Sequence, residues 1–213
     1  LREIGQAAMV TSAGADLFGL IFAPTRRQVT AEQAAGIVAE VRRLSPSRRV
    51  LSVGVFVDAS ADEINRVASI AGLDIAQLHG NEPPELLGAI EIPVIKAMAI
   101  PPGEAPRAIE TRFEEFSRRP RPPIAYVVDG YDRTQAGGAG ALADWALAAD
   151  LARRWPVMLA GGLTPQNVGD AIAAVDAIGV DVSSGVETDG VKDAAKISEF
   201  VSAARQGFGL RVS

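Results

Sequence analysis

The chain has 213 residues, 48% of them hydrophobic and 22% charged, with a net charge of −5 and a pI near 5.0. That composition suits one soluble domain with a substantial core, gives no basic footprint for nucleic acid, and offers no apolar run near the ~18 residues of a membrane-spanning helix. With no cysteine and a single histidine, these residues build no disulfide, no thiolate or imidazole metal centre and no thiol nucleophile. Nothing at the start reads as a secretory leader, so a cytoplasmic location is expected.

In chain order, the sequence opens with helical spacing over Leu1–Ala13, carried by Ile4, Ala7, Ala8 and Val10. Apolar, β-branched runs then predict buried parallel strands at Leu17–Phe22, Val50–Val57, Leu73–Leu78, Pro93–Met98, Ile124–Asp129, Val157–Ala160 and Ile178–Val182. Between them, amphipathic spacing predicts helices at Thr30–Leu44, Ala61–Ala71, Pro84–Ala89, Ala143–Arg154, Pro165–Ala173 and Ala194–Ala204. Thr30 ahead of Glu32, Ser60 ahead of Asp62 and Glu63, and Thr164 with Pro165 at a first helical position are start signals. The proline-rich stretch Pro101–Pro123, with its Arg and Glu run, reads as a solvated helix between two loops.

Strand alternating with helix demands right-handed crossovers and a parallel sheet, either open and doubly wound or closed as a (β/α)8 TIM barrel. Length and strand count favour the barrel, as a single domain over residues 1–213. Such a barrel has eight strands, each ahead of its helix. A chain that opens on a helix is therefore expected to lack its first strand.

Barrel active sites lie at the C-terminal strand ends and the loops after them. Three glycine-bearing turns follow late strands: Gly137-Gly-Ala-Gly140, Ala160-Gly-Gly-Leu163 and Ser183-Ser-Gly185. Backbone amides without side-chain bulk make a cradle for a phosphate, which singles out Gly138, Gly161, Gly162, Ser183 and Ser184. A plain tight turn is the alternative for each. Asp129 ends an otherwise apolar strand, where burial suits a carboxyl to donate a proton; a structural or capping aspartate is its alternative. Asp181, among apolar neighbours, suits a substrate amine or supports its own turn. Arg27 can clamp a carboxylate or remain solvated like Arg26. His79, the only imidazole, reads as a rim residue that positions ligand or loop, and Lys96 as support beneath the site.

Taken together, these residues resemble one family, phosphoribosylanthranilate isomerase, over nearly the whole chain. The likeness is carried by Ala13-Gly-Ala-Asp-Leu-Phe-Gly-Leu-Ile-Phe22, Arg27-Gln-Val29, Val53-Gly-Val-Phe-Val57, Gln77-Leu-His-Gly80, Val128-Asp129, Leu159-Ala-Gly-Gly-Leu163, Asp181-Val-Ser-Ser-Gly-Val-Glu187 and Gly190-Val-Lys-Asp193. It implies an Amadori rearrangement of N-(5-phosphoribosyl)anthranilate to a 1-deoxyribulose phosphate in tryptophan biosynthesis, without metal or organic cofactor. By the resemblance, Asp129 is the general acid, Arg27 holds the anthranilate carboxylate, Asp181 lies near the anthranilate amine, and the backbone at Gly138, Gly161, Gly162, Ser183 and Ser184 holds the phosphate.

Two departures accompany it. The family's Gly-Gly-Thr-Gly loop reads Gly137-Gly-Ala-Gly140 here, which loses a hydroxyl and keeps the amides. The family's general base is a cysteine in a Lys-x-Cys-Gly segment, and Leu1-Arg-Glu resembles the continuation of that segment, so the cysteine is expected just upstream of Leu1. A non-catalytic phosphosugar-binding barrel and related phosphate-binding enzymes, a pentose-phosphate epimerase or an indoleglycerol-phosphate synthase, are the competing readings. The expected partner is a small phosphorylated substrate, with no nucleic acid or membrane, for a monomer or homodimer.

Overall fold

The computed structural model describes residues 1–47, 50–101, 103–130 and 144–209. They fall into two units, Leu1–Lys96 with Phe116–Ile124, and Ala97–Glu115 with the described part of Ala125–Ser213.

In the first unit a 3-10 turn, Ile4–Gln6, runs into α1 (Ala7–Ala13). β1 (Leu17–Ile21), β2 (Leu51–Phe56), β3 (Ile75–Leu78) and the start of β4 (Val94–Ile100) then pair in parallel, each beside the next. α2 (Ala31–Leu44) follows β1, and α3 (Ala61–Ala71) follows β2. Both begin where cap chemistry says. Thr30 Oγ1 accepts from Gln33 N while Gln33 Oε1 accepts from Thr30 N, a reciprocal box, and Ser60 Oγ accepts from Glu63 N. Such caps are each worth about 1 kcal/mol. The segment expected as a helix at Pro84–Ala89 is a 3-10 helix with proline at its start.

Parallel partners share a face of the sheet, and successive residues alternate between faces. One face of the first unit carries Phe18, Leu20, Phe56, Ala76, Leu78 and Lys96, all buried. The other carries Val53, Val55, Ile75, Gln77 and Ile95.

In the second unit, β5 (Ala125–Gly130), β6 (Val157–Leu159) and β7 (Gly179–Val180) pair in parallel. α4 (Pro106–Ser117), all but its last two residues in this unit, confirms a helix inside the proline-rich stretch, but it is not solvated all round: Ile109 and Phe113 are buried. The Phe113 ring lies 4.7 Å from that of Tyr126 on β5 and 5.0 Å from that of Trp155. Arginines and glutamates occupy the opposite stripe, where Arg154 pairs with both Glu110 and Glu114.

α5 (Trp145–Ala152), α6 (Val168–Val175) and α7 (Ala194–Gly207) pack in that order, α5 on α6 and α6 on α7. Asp144 caps α5 and Asp193 caps α7 through pairs of backbone amides. α6 starts at Val168 rather than at Pro165. The Asn167 side chain occupies the intervening turn, accepting from Thr164 N at 2.7 Å and donating to Gly162 O at 3.0 Å. A short hairpin, β8 (Glu187–Thr188) with β9 (Val191–Lys192), was not expected from the sequence. Asp189 and Gly190 turn it at φ 52 and 76, the doubly positive geometry of a two-residue hairpin loop. Among the described residues no helix is long and apolar enough to cross a membrane.

Candidate functional site

β5 alternates cleanly. Tyr126 and Val128 face α4, since the Tyr126 ring packs on Phe113 and its hydroxyl donates to Phe113 O at 3.5 Å. Ala125, Val127 and Asp129 therefore share the other face. Val127 is partnered with Met158, and Met158 with Gly179, so this face continues through β6 to β7. Two residues beyond Gly179, Asp181 stands on it as well, its backbone N–H still donating to Leu159 O at 2.9 Å. Both expected carboxylates thus sit on one face at the C-terminal ends of β5 and β7, with β6 between them and Ala160 at the intermediate position. Two strand spacings separate their backbones by about 10 Å, room for a small ligand rather than a direct carboxylate pair. Asp129 is half-buried and Asp181 exposed.

Just beyond the end of β6, Gly161 and Gly162 adopt φ 86 and 63, which only glycine takes without strain. The Asn167 clasp on Gly162 O fixes this turn. The next turn, Ser183 to Val186, leans directly on it: a Cβ placed on Gly185 would overlap the Leu163 carbonyl oxygen. Glycine at that position is what lets the two turns meet. Among the described residues no oxygen accepts from the amides of Gly161, Gly162, Ser183 or Ser184, and all four residues are half-exposed. Backbone N–H donors gathered at two meeting turns are the kind of group that can receive an anion. Gly138, with the rest of its turn, lies outside the described residues.

Behind the cradle, Lys192 Nζ donates to Ser183 O at 2.8 Å and pairs with Glu187 at 3.2 Å, while Lys196 Nζ donates to Glu187 O. The Asp193 carboxyl is held below its ordinary pKa, first by the Thr188 hydroxyl and then by the Lys196 and Ala195 amides. The stabilisation from that lowered value is complete above the ordinary aspartate range and is lost as pH falls through the lowered one.

The first unit holds Arg27 and His79. Arg27 is half-buried in the loop after β1, which is closed by Val29 N to Ile21 O, Gln28 N to Thr25 O and Gln28 Nε2 to Phe22 O. His79 extends β3: its N–H donates to Phe56 O at 2.8 Å, and its Nδ1 lies 3.0 Å from Gln77 Nε2. With Nε2 of Gln77 as donor, Nδ1 is the acceptor and the proton of a neutral ring sits on Nε2.

Under the His79–Gly80 turn lies a buried charge network. Lys96 Nζ donates to Leu78 O, Gly80 O and Glu82 Oε2 at 3.2, 2.8 and 2.9 Å, and both side chains are almost fully buried (4% and 1% exposed). Glu82 also accepts from Asp58 N and Gly80 N at 3.0 Å each. Lys96 thus supports the His79–Gly80 turn. Glu82, Asn167, Gln77 and Lys192 carry no signal of their own in the sequence: each is a polar residue at a loop or strand position, and its role shows only in the groups it bonds, His79 for Gln77, the Thr164 and Gly162 backbone for Asn167, Lys96 for Glu82 and Ser183 O for Lys192.

A family model described as N-(5'phosphoribosyl)anthranilate (PRA) isomerase matches residues 1–203. An N-(5'-phosphoribosyl)anthranilate isomerase of Dehalococcoides mccartyi is 36% identical over 212 residues, covering 100% of this chain and 96% of the relative. The crystal structure of phosphoribosyl anthranilate isomerase from Thermotoga maritima is similar at a TM-score of 0.82 and 33% identity, over 97% of this chain and 96% of that one. Another, in complex with reduced 1-(o-carboxyphenylamino)-1-deoxyribulose 5-phosphate, gives a TM-score of 0.79 at 32% identity, over 97% and 95%. The fold is that of the (β/α)8 barrel, seven strands of which lie among the described residues.

Proposed function

This chain belongs to the N-(5′-phosphoribosyl)anthranilate isomerase family and is an aldose–ketose isomerase of tryptophan biosynthesis, and from that premise we propose how its residues perform the rearrangement. The amides of Gly161, Gly162, Ser183 and Ser184 bind the substrate phosphate, joined by that of Gly138. Arg27 takes the anthranilate carboxylate with its planar fork of donors. Asp181 accepts a hydrogen bond from the anthranilate amine, and His79 positions the ligand at the rim.

Asp129 starts the chemistry as general acid. Its proton passes to the furanose ring oxygen as the C1′–O bond breaks, and the nitrogen lone pair closes the C=N bond of a protonated Schiff base. Removal of the C2′ proton sends that C–H electron pair back toward nitrogen and leaves an enolamine. The enol hydroxyl then becomes the C2′ ketone as C1′ gains a proton. By the resemblance the C2′ base is a cysteine; no cysteine stands among these 213 residues.

One observation carries this reading: Asp129 and Asp181 share a sheet face at strand ends, beside two meeting turns with open amides. A carboxylic acid and an anion cradle on the same rim suit an acid-catalysed step on a phosphorylated sugar. The test is turnover by the full-length polypeptide. N-(5′-phosphoribosyl)anthranilate should lose its anthranilate fluorescence at a rate proportional to protein. Unchanged fluorescence in a sample that still binds the reduced ribulose phosphate analogue would make the protein a phosphosugar binder instead.

A further inference from the structure

We propose that Lys192 is a positioning residue for the substrate phosphate, acting through the Ser183–Ser184 peptide; the inference rests on the phosphate reading above. Carbonyl and N–H point in opposite directions across a trans peptide. Lys192 Nζ holds Ser183 O at 2.8 Å, so the Ser184 N–H on the far side of the same peptide is aimed away from Lys192. That N–H is one of the four open cradle amides. An ammonium on the carbonyl also polarises the peptide, which makes its N–H a stronger donor to an anion.

The ammonium itself is held in place. Lys192 is cross-strand partner to Glu187 in the β8–β9 hairpin, and their side chains pair at 3.2 Å with only 16% and 6% exposed. Lys196 donates to Glu187 O at 2.8 Å, and Asp193 N donates to Val186 O at 3.0 Å. These bonds tie the hairpin to the base of the Ser183–Val186 turn. The hairpin therefore works as a bracket that sets one peptide plane at the cradle, and a positive charge stands one peptide away from the bound anion.

The experiment measures binding of three probes to the full-length protein: inorganic phosphate, the reduced ribulose phosphate analogue, and that analogue without its phosphate. Variants are Lys192→Met and, to spare an unpaired buried carboxylate, Lys192→Met/Glu187→Gln. Both are expected to weaken inorganic phosphate and the phosphorylated analogue by about tenfold, leaving the dephosphorylated analogue within about twofold. In turnover the loss falls on KM rather than kcat. Equal affinity of the double variant and the parent for both phosphate probes would overturn the proposal. So would an equal loss for all three probes, which is what a general collapse of the turn produces. If the parent's phosphorylated and dephosphorylated analogues bind alike, the phosphate cradle itself is misassigned, and that result is separable because it appears before any substitution.

Discussion

Asp129→Asn is expected to lower kcat by about two orders of magnitude or more, with affinity for the reduced ribulose phosphate analogue within about threefold of the parent. The substitution keeps the shape of the side chain and its place on β5, where Val127 and Met158 beside it set the face it occupies. What it removes is the transferable proton. An amide can still donate a hydrogen bond to the furanose oxygen, but it cannot neutralise the alkoxide that forms as the C1′–O bond breaks. The phosphate and anthranilate contacts proposed above lie on other residues, so binding is expected to survive. Steady-state fluorescence gives kcat, and calorimetry with the analogue gives affinity. Parent-like turnover in the variant would take the acid role away from Asp129.

The second large effect is on stability. Lys96→Met is expected to cost about 3–5 kcal/mol, because it leaves the Glu82 carboxylate buried without its counter-charge. In a chain of this size that corresponds to a fall in Tm on the order of 10 °C. The geometry makes the loss hard to repair. Lys96 satisfies two carbonyls, Leu78 O and Gly80 O, as well as Glu82. Glu82 in turn satisfies the amides of Asp58 and Gly80. An apolar replacement of the pair, Lys96→Met with Glu82→Leu, therefore strips four backbone groups of their side-chain partners instead of restoring an oily core, and it is expected to melt no higher than the single variant. Gly80 adds to the constraint, since a Cβ there would run into Asp58. Thermal unfolding followed by circular dichroism reads both variants; a Tm equal to the parent's in Lys96→Met would show that the network contributes little.

This network also marks where sequence reasoning stops. Strands such as β3 and β4 were legible because parallel strands buried on both faces read as uninterrupted apolar runs, and the helix starts at α2 and α3 because Thr30 and Ser60 cap them. The strand-end aspartates stood out for the opposite reason, as charges closing apolar runs. Glu82 carried no such signal. It sits in Asn81-Glu-Pro-Pro84, which reads as a solvated loop, and it becomes buried only because β4 brings Lys96 beneath that loop. Asn167 is a similar case: its neighbour Pro165 looked like the start of α6, and the side-chain clasp that delays the helix pairs groups on both sides of the turn. The β8–β9 hairpin left only its Asp189-Gly190 turn in the sequence, since strands of two residues have no period to detect. A carboxylate for Arg27 and an amine for Asp181 were legible from residue type and place, whereas anthranilate as their ligand came from family resemblance; register supplies the face for Asp181 but not its ligand.

A crystal structure of the full-length protein with the reduced ribulose phosphate analogue tests the central claim most directly. The account predicts the phosphate on the amides of Gly161, Gly162, Ser183 and Ser184, and the Asp129 carboxyl about 3 Å from the C4′ oxygen that closes the furanose ring in the substrate. A phosphate bound elsewhere, or an Asp129 side chain turned away from that oxygen, would contradict it.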